Sequence, residues 1–345
     1  MSARATAAAA RVANAGEGTL AAGGWAARLE LRFERRPHAC VLAHVCHEGP
    51  LTVQRALHPE GLDACHAVIL HPPGGVAGGD SLDVDIAVRE RAHAVLTMPG
   101  AAKFYRCDSK PSRQRVRLDV ASGAIAEWLP PESIVFDGAR ATSELEIDVA
   151  ADGCMIGWDV VALGRRARGE SFASGRWRQR LAIRRAGRLL AEDTLDLAGG
   201  DAWLRARPGL GGAPVFGTMV AVAAGMGPVI VDACRDAIDA QRDGAPDGTP
   251  LGRAPPWGEA ASGRFGGIDA PDGTPPGRAS PRGEAAAGRL VGMSIGVTMP
   301  APGLMVARCL ADEAETVRGA FVAIWTRLRP ALAGLDARPL RLWTT

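Results

Sequence analysis

From Trp25 to about residue 200, apolar and polar residues alternate with a period of two over short runs, as in strands buried on one face. Leu29-Glu30-Leu31-Arg32-Phe33 is one such run. Over residues 114–120, Val116, Leu118 and Val120 fall on one face, with Arg115, Arg117 and Asp119 on the other. Ala121-Ser122-Gly123 then predicts a hairpin into a strand over 124–129. Further strands are predicted over 144–149 and 155–163. Strands over 181–184 and 189–197 flank Arg185-Ala186-Gly187-Arg188, which predicts another hairpin. No amphipathic-helix pattern interrupts residues 25–200.

The C-terminal third changes period. A strand is predicted over 218–223, a helix over 231–241, and a strand pair over 290–298 and 304–310. Asp312 is expected to cap a last helix, with Glu315 three residues on completing a capping-box-like pair. Val317, Phe321, Ile324 and Leu328 then share one helical face. The fold class is therefore mainly β, with a small C-terminal α/β portion of about two helices.

Composition refines the domain layout. Residues 1–24 are rich in alanine and glycine without a continuous apolar core, and are expected to form a disordered tail. The segment 245–264 recurs at 270–289 with 16 of 20 positions identical, and is dominated by Gly, Pro, Ala and Arg. Such composition buries too little surface to offset its ordering entropy, so residues 242–289 are expected to be a duplicated, disordered insertion. One β-rich domain then spans 25–241 and 290–345. No apolar run reaches 18 residues, so no membrane span is expected. Seven widely spread cysteines do not form a disulfide framework, which points to a reducing, cytoplasmic setting. Forty basic residues against 38 acidic ones give a net charge of +2, which excludes a dedicated nucleic-acid binder.

Candidate chemistry is sparse. The run His71-Pro72-Pro73-Gly74-Gly75-Val76-Ala77-Gly78-Gly79-Asp80 follows an apolar strand. It lacks the Gly-Lys-Ser/Thr of a phosphate loop and opens no helix, so tight turns or close backbone packing explain it better. All seven histidines lie within the first 93 residues, among them His44, His47 and His66 beside Cys46 and Cys65. Neighbouring strand residues face opposite ways, so Cys46 and His47 cannot share one ion, and no stable metal site is expected. The carboxylates Asp80, Glu127, Glu132, Asp137, Asp159, Glu170 and Glu192 complete the inventory. Asp159 stands out because it interrupts an apolar strand, where burial is costly unless the group is paired or wet. No nucleophile elbow or zinc-protease motif is present, and no catalytic machine is recognisable.

Read together, several blocks resemble the urease accessory protein UreD (UreH) family. They are Gly49-Pro50-Leu51-Thr52-Val53-Gln54-Arg55, Pro59-Glu60-Gly61, the 71–80 run with Gly74, Gly75, Gly78 and Gly79, and the 96–106 block containing Lys103, Tyr105 and Arg106. Glu127-Trp128-Leu129-Pro130-Pro131-Glu132, Trp158-Asp159, Gly164-Arg165 and Gly169-Glu170-Ser171-Phe172 extend the match. The resemblance implies a layered or helicoidal β-sheet architecture and a non-enzymatic role. It implies binding to apo-urease subunits and, with UreF and UreG, delivery of nickel through an internal tunnel, the ion being held only transiently. Motif positions make Asp80, Asp159, Glu192 and Glu170 the tunnel-lining candidates; oxygen donors suit transfer because they exchange readily. A stand-alone β-rich metal-dependent hydrolase and a passive assembly scaffold are the rival expectations.

Overall fold

The computed structural model describes residues 13–14, 24–108, 110–243 and 292–343. Most of the tail expected over 1–24, and all but the first residues of the insertion expected over 242–289, lie outside the described residues. The strands are β1 (Ala13–Asn14), β2 (Ala26–Arg36), β3 (Ala39–Glu48), β4 (Thr52–Val53), β5 (Cys65–Leu70), β6 (Ser81–Val88) and β7 (His93–Thr97). They continue with β8 (Ala102–Phe104), β9 (Ser112–Val120), β10 (Ile125–Trp128), β11 (Ser133–Val135), β12 (Arg140–Val149) and β13 (Cys154–Leu163). β14 (Arg176–Arg185), β15 (Arg188–Ala198) and β16 (Val215–Ala223) precede helix α1 (Pro228–Asp243). β17 (Ser294–Ala301), β18 (Leu304–Ala311) and helix α2 (Ala314–Ala333) close the chain.

Two sheets form. The first has the order β1-β3-β2-β6-β9-β12-β14-β15, the second β17-β18-β16-β13-β10-β7-β5-β4. From β5 to β14 the chain swings between them, laying β6, β9, β12 and β14 parallel in the first sheet. β5, β7, β10 and β13 lie parallel in the second. The short strands β8 and β11 branch from the second sheet, β11 pairing parallel with both β13 and β8. The result is a helicoidal, mainly β fold, closed at its ends by antiparallel strands.

Burial explains the sequence pattern. First-sheet strands alternate, as in β6, because only their inner face meets the core. β7 is buried throughout, because its outer face is covered as well. One apolar core fills the space between the sheets; a second lies between the second sheet and the two helices. The order β16-α1-β17-β18-α2 matches the expected α/β portion, and its strands continue the second sheet.

Two local expectations are corrected. Ala121-Ser122-Gly123 does not close a hairpin: it carries the chain from β9 in the first sheet to β10 in the second, with Gly123 at φ +61°. Alternation marks a strand without naming its partner, and both strands already have parallel neighbours from adjoining coils. Helix α2 is capped by Glu313, not Asp312, with no side-chain capping bond, since the chain leaves β18 only at Ala311. Its buried face does contain Val317, Phe321, Ile324 and Leu328. The β14–β15 hairpin forms where expected, with Ala186 at φ 50° and Gly187 at φ 74°, the paired positive angles of a type I′ turn.

Candidate functional site: polar groups on the two faces of the second sheet

On β13 the period of two sends Trp158 and Asp159 to opposite faces. Trp158 points toward the helices, 6.3 Å from Phe321 and 5.6 Å from Trp343 between ring centres, and its Nε1 donates to the Pro130 carbonyl at 2.8 Å. Asp159 points between the sheets, where Nε2 of Gln179 on β14 donates to its Oδ2 at 2.7 Å. Beside it lies a cavity of about 20 Å³, lined by polar Gln114, Ser133, Ser143, Glu144 and Asp159 and by apolar residues including Met98, Val116, Trp128 and Leu145, room for a single water. Burial pushes the Asp159 carboxyl up to about 6, against the pull of Gln179 and the Val160 backbone. No cation pairs with Asp159 among the described residues.

The other carboxylates singled out by sequence are held elsewhere, each by its own partners. Buried Asp80 accepts the backbone N–H of Trp25 at 2.8 Å and of Ala77 at 2.7 Å, closing the glycine-rich turn and pinning the approach to β2. Glu192 lies on the outer face of the first sheet, 2.8 Å from Arg180. Glu170 pairs with Arg165 and accepts the Asp137 N–H at 3.1 Å; Arg165 is the main cause holding its carboxyl below the usual range.

The glycine run is a packing device. Gly74 and Gly79 take φ of +75° and +92°. A Cβ on Gly75 would sit 2.4 Å from the Tyr105 ring, and one on Gly78 would sit 2.5 Å from the Cys107 Cβ. His71 is half-buried beside Asp80, and burial lowers its pKa. Lys103 lies on β8, exposed Arg106 reaches Asp108 at 3.6 Å, Trp128 is buried at the cavity, and Glu132 meets Arg318 at 3.2 Å.

The opposite face of the second sheet holds a polar cluster that periodicity did not reveal. Glu127, fully buried on β10, receives His93 Nε2 at 2.7 Å, Trp325 Nε1 at 2.7 Å and Arg329 Nε at 3.0 Å. Burial alone would raise its carboxyl; His93, Arg329 and Trp325 outweigh that and hold it below the usual range. Arg329, itself fully buried and stacked 4.9 Å over Trp325, also grips Glu60 at 2.5 and 2.9 Å and the Asp336 carbonyl at 2.6 Å. His66 Nε2 lies 2.8 Å from Glu60, and burial lowers its pKa. Two of the N-terminal histidines thus belong to a clamp on α2. The sequence signal was a basic residue set in the apolar stripe Phe321, Ile324, Trp325, Leu328. The donors around Glu127 are already hydrogen-bonded, and among the described residues no group of three or more His, Cys, Asp or Glu is placed to hold a metal ion.

The model of the family described as UreD urease accessory protein matches residues 26–344. The chain belongs to the UreD family. Among its relatives, the urease accessory protein UreD of Nitrosococcus oceani is 38% identical over 93% of this chain and 90% of its own length. Those of Pseudomonas paraeruginosa and Azoarcus sp. are 40% and 38% identical, each over 93% of this chain and 95% of the relative. UreD proteins are accessory factors, not enzymes. Among the described residues of this UreD-family chain, no helix is long and apolar enough to cross a membrane.

Proposed function

We propose that this chain serves urease maturation by binding apo-urease and, together with UreF and UreG, helping to deliver nickel to the urease active site from the cytoplasm. Nickel is cargo here, held transiently by oxygen donors. The observation that carries the reading is Asp159: in a UreD-family chain, a carboxylate faces the space between the sheets, next to a water-sized cavity lined by both polar and apolar side chains, with a neutral Gln179 as its side-chain partner. A carboxylate neutralised by an arginine would have little left to offer a passing cation. Asp80, buried and held by two backbone N–H groups, is assigned to the same route as a further oxygen donor; Glu170 and Glu192, named by motif, are each paired with an arginine, and Glu192 lies on the outer face of the first sheet, so neither is assigned to it. Tagged chain co-expressed with the apo-urease subunits, UreF and UreG is expected to retain all of them on purification. Recovery of the chain alone would contradict the proposal.

A further inference from the structure

Four loops lie side by side across one end of the solenoid: 105–108 ahead of β9, 136–139 before β12, 164–175 before β14 and 199–214 before β16. Backbone bonds stitch each to the next: Cys107 N–H to Gly138 O at 3.1 Å, Gly138 N–H to Ser174 O at 3.0 Å, and Gly200 N–H to Phe172 O at 3.0 Å. Asp137 fixes the seam further by accepting the N–H groups of Ala173 and Ser174 at 2.9 and 2.7 Å.

The third and fourth loops carry Arg165, Arg166, Arg168, Arg205 and Arg207, all exposed, against the carboxylates Glu170 and Asp201. Both carboxylates are spent. Glu170 pairs with Arg165, and Asp201 caps the turn at the Trp203 N–H at 3.0 Å. Arg166, Arg168, Arg205 and Arg207 have no acidic partner among the described residues. The outer face of the first sheet contrasts with this end. There Arg113, Arg115, Arg117 and Arg180 are matched by Glu144, Asp83, Glu146 and Glu192 at 2.7 to 3.1 Å. Trp203, 42% exposed, stands on the fourth loop just ahead of Arg205 and Arg207, and that loop is bonded to the third through Gly200 and Phe172. The loop carrying it is tightly packed, since a Cβ on Gly209 would lie 2.1 Å from the Trp203 carbonyl oxygen.

We infer that this loop face, Arg166, Arg168, Arg205 and Arg207 with Trp203, is a docking surface for a folded protein that presents surface carboxylates. Guanidinium forks grip carboxylates bidentately, and an exposed tryptophan beside them is the composition of a binding hot spot. Preset loops lose little entropy on docking. A nucleic-acid strand fits less well, because the chain's charge is nearly balanced, 40 basic against 38 acidic residues, and binding along a phosphate track draws on a basic surplus.

The inference rests on the proposed function only in its first probe, apo-urease. The full chain and the variant R166E/R168E/R205E/R207E are compared by biolayer interferometry against apo-urease, poly-L-glutamate and a 20-base-pair DNA duplex at two salt concentrations. A control variant, R36E/R89E, reverses two exposed arginines at the opposite ends of first-sheet strands. Expected is an association rate with apo-urease that falls with salt and drops on the order of tenfold in the quadruple variant but not in the control. Equal rates for wild type and the quadruple variant would overturn the surface while leaving the functional reading intact. If wild type does not bind apo-urease, the functional reading fails, and poly-L-glutamate decides: salt-sensitive binding lost only in the quadruple variant supports the surface, and any other result overturns it. Binding to the duplex that is stronger than to poly-L-glutamate and lost in the same variant would overturn the protein assignment.

Discussion

Arg329 on α2 and Glu127 on β10 meet with both side chains wholly out of water, Nε 3.0 Å from Oε1, although 202 residues separate them along the chain. The pair fixes how α2 sits on the second sheet, and through Glu60 it also holds the loop before β5. Buried ion pairs add little net stability when whole, because desolvation offsets attraction, but removing one partner strands the other.

Arg329→Met is therefore expected to destabilise the chain by about 3–5 kcal/mol, since Glu127 and Glu60 lose their shared cation. Adding Glu127→Gln and Glu60→Gln to Arg329→Met is expected to recover part of that loss. Urea unfolding of the single and triple variants checks both statements. A single variant within about 1 kcal/mol of wild type would show that the clamp does not organise α2.

The Asp159 carboxyl is shifted in the opposite sense from those of Glu127, Glu146 and Glu170. Its folded pKa is raised to about 6 from 3.8, so the folded state binds this proton more tightly than the unfolded chain. Its contribution is fully present below pH 4, declines as pH rises through about 6, and is flat above. The loss is up to about 3 kcal/mol, at 1.36 kcal/mol per unit. Asp159→Asn keeps the acceptor for Gln179 and removes the titration. The stability difference between variant and wild type is expected to grow between pH 4 and 7 in favour of the variant. Glu127 and Glu146, both lowered, lose stability as pH falls and are common to both proteins, so the comparison cancels them.

Gly75 and Gly74 separate space from backbone angle. Gly75→Ala is expected to cost about 1–3 kcal/mol through overpacking against Tyr105, and Tyr105→Ala in the same chain is expected to relieve it. At Gly74 nothing lies within 4 Å and φ is +75°, so Gly74→Ala is expected to cost about 1 kcal/mol of backbone strain, with no relief from Tyr105→Ala. Thermal unfolding of the four variants distinguishes the two mechanisms.

Much of this was legible in the chain. The period-two runs located β2, β9, β12 and β14, because one-sided burial writes itself directly into alternation, and the Arg185–Arg188 turn announced its hairpin. The coil was not legible from periodicity. Ala121-Ser122-Gly123 looks like any tight turn, and whether the next strand folds back or crosses to another sheet depends on partners far along the chain, such as His93 for Ile125 and Val88 for Val120. Asp159 was visible as a charge inside an apolar strand. Glu127 was in the carboxylate inventory, but its cluster was not legible, because its environment is assembled from α2, β7 and the Glu60 loop. Asp80, Glu170 and Glu192 were selected by motif, and their local partners emerged only in the folded chain.

The central claim is that Asp159 offers an unneutralised carboxylate to nickel on its way to urease. Asp159→Ala and Asp159→Glu chains, co-expressed with the urease subunits, UreF and UreG, are to be compared with wild type by the nickel bound per urease active site, with recovery of the complex measured in parallel. The expected result is an intact complex with nickel reduced several-fold in Asp159→Ala and partly restored in Asp159→Glu. Wild-type nickel content in Asp159→Ala would contradict the claim.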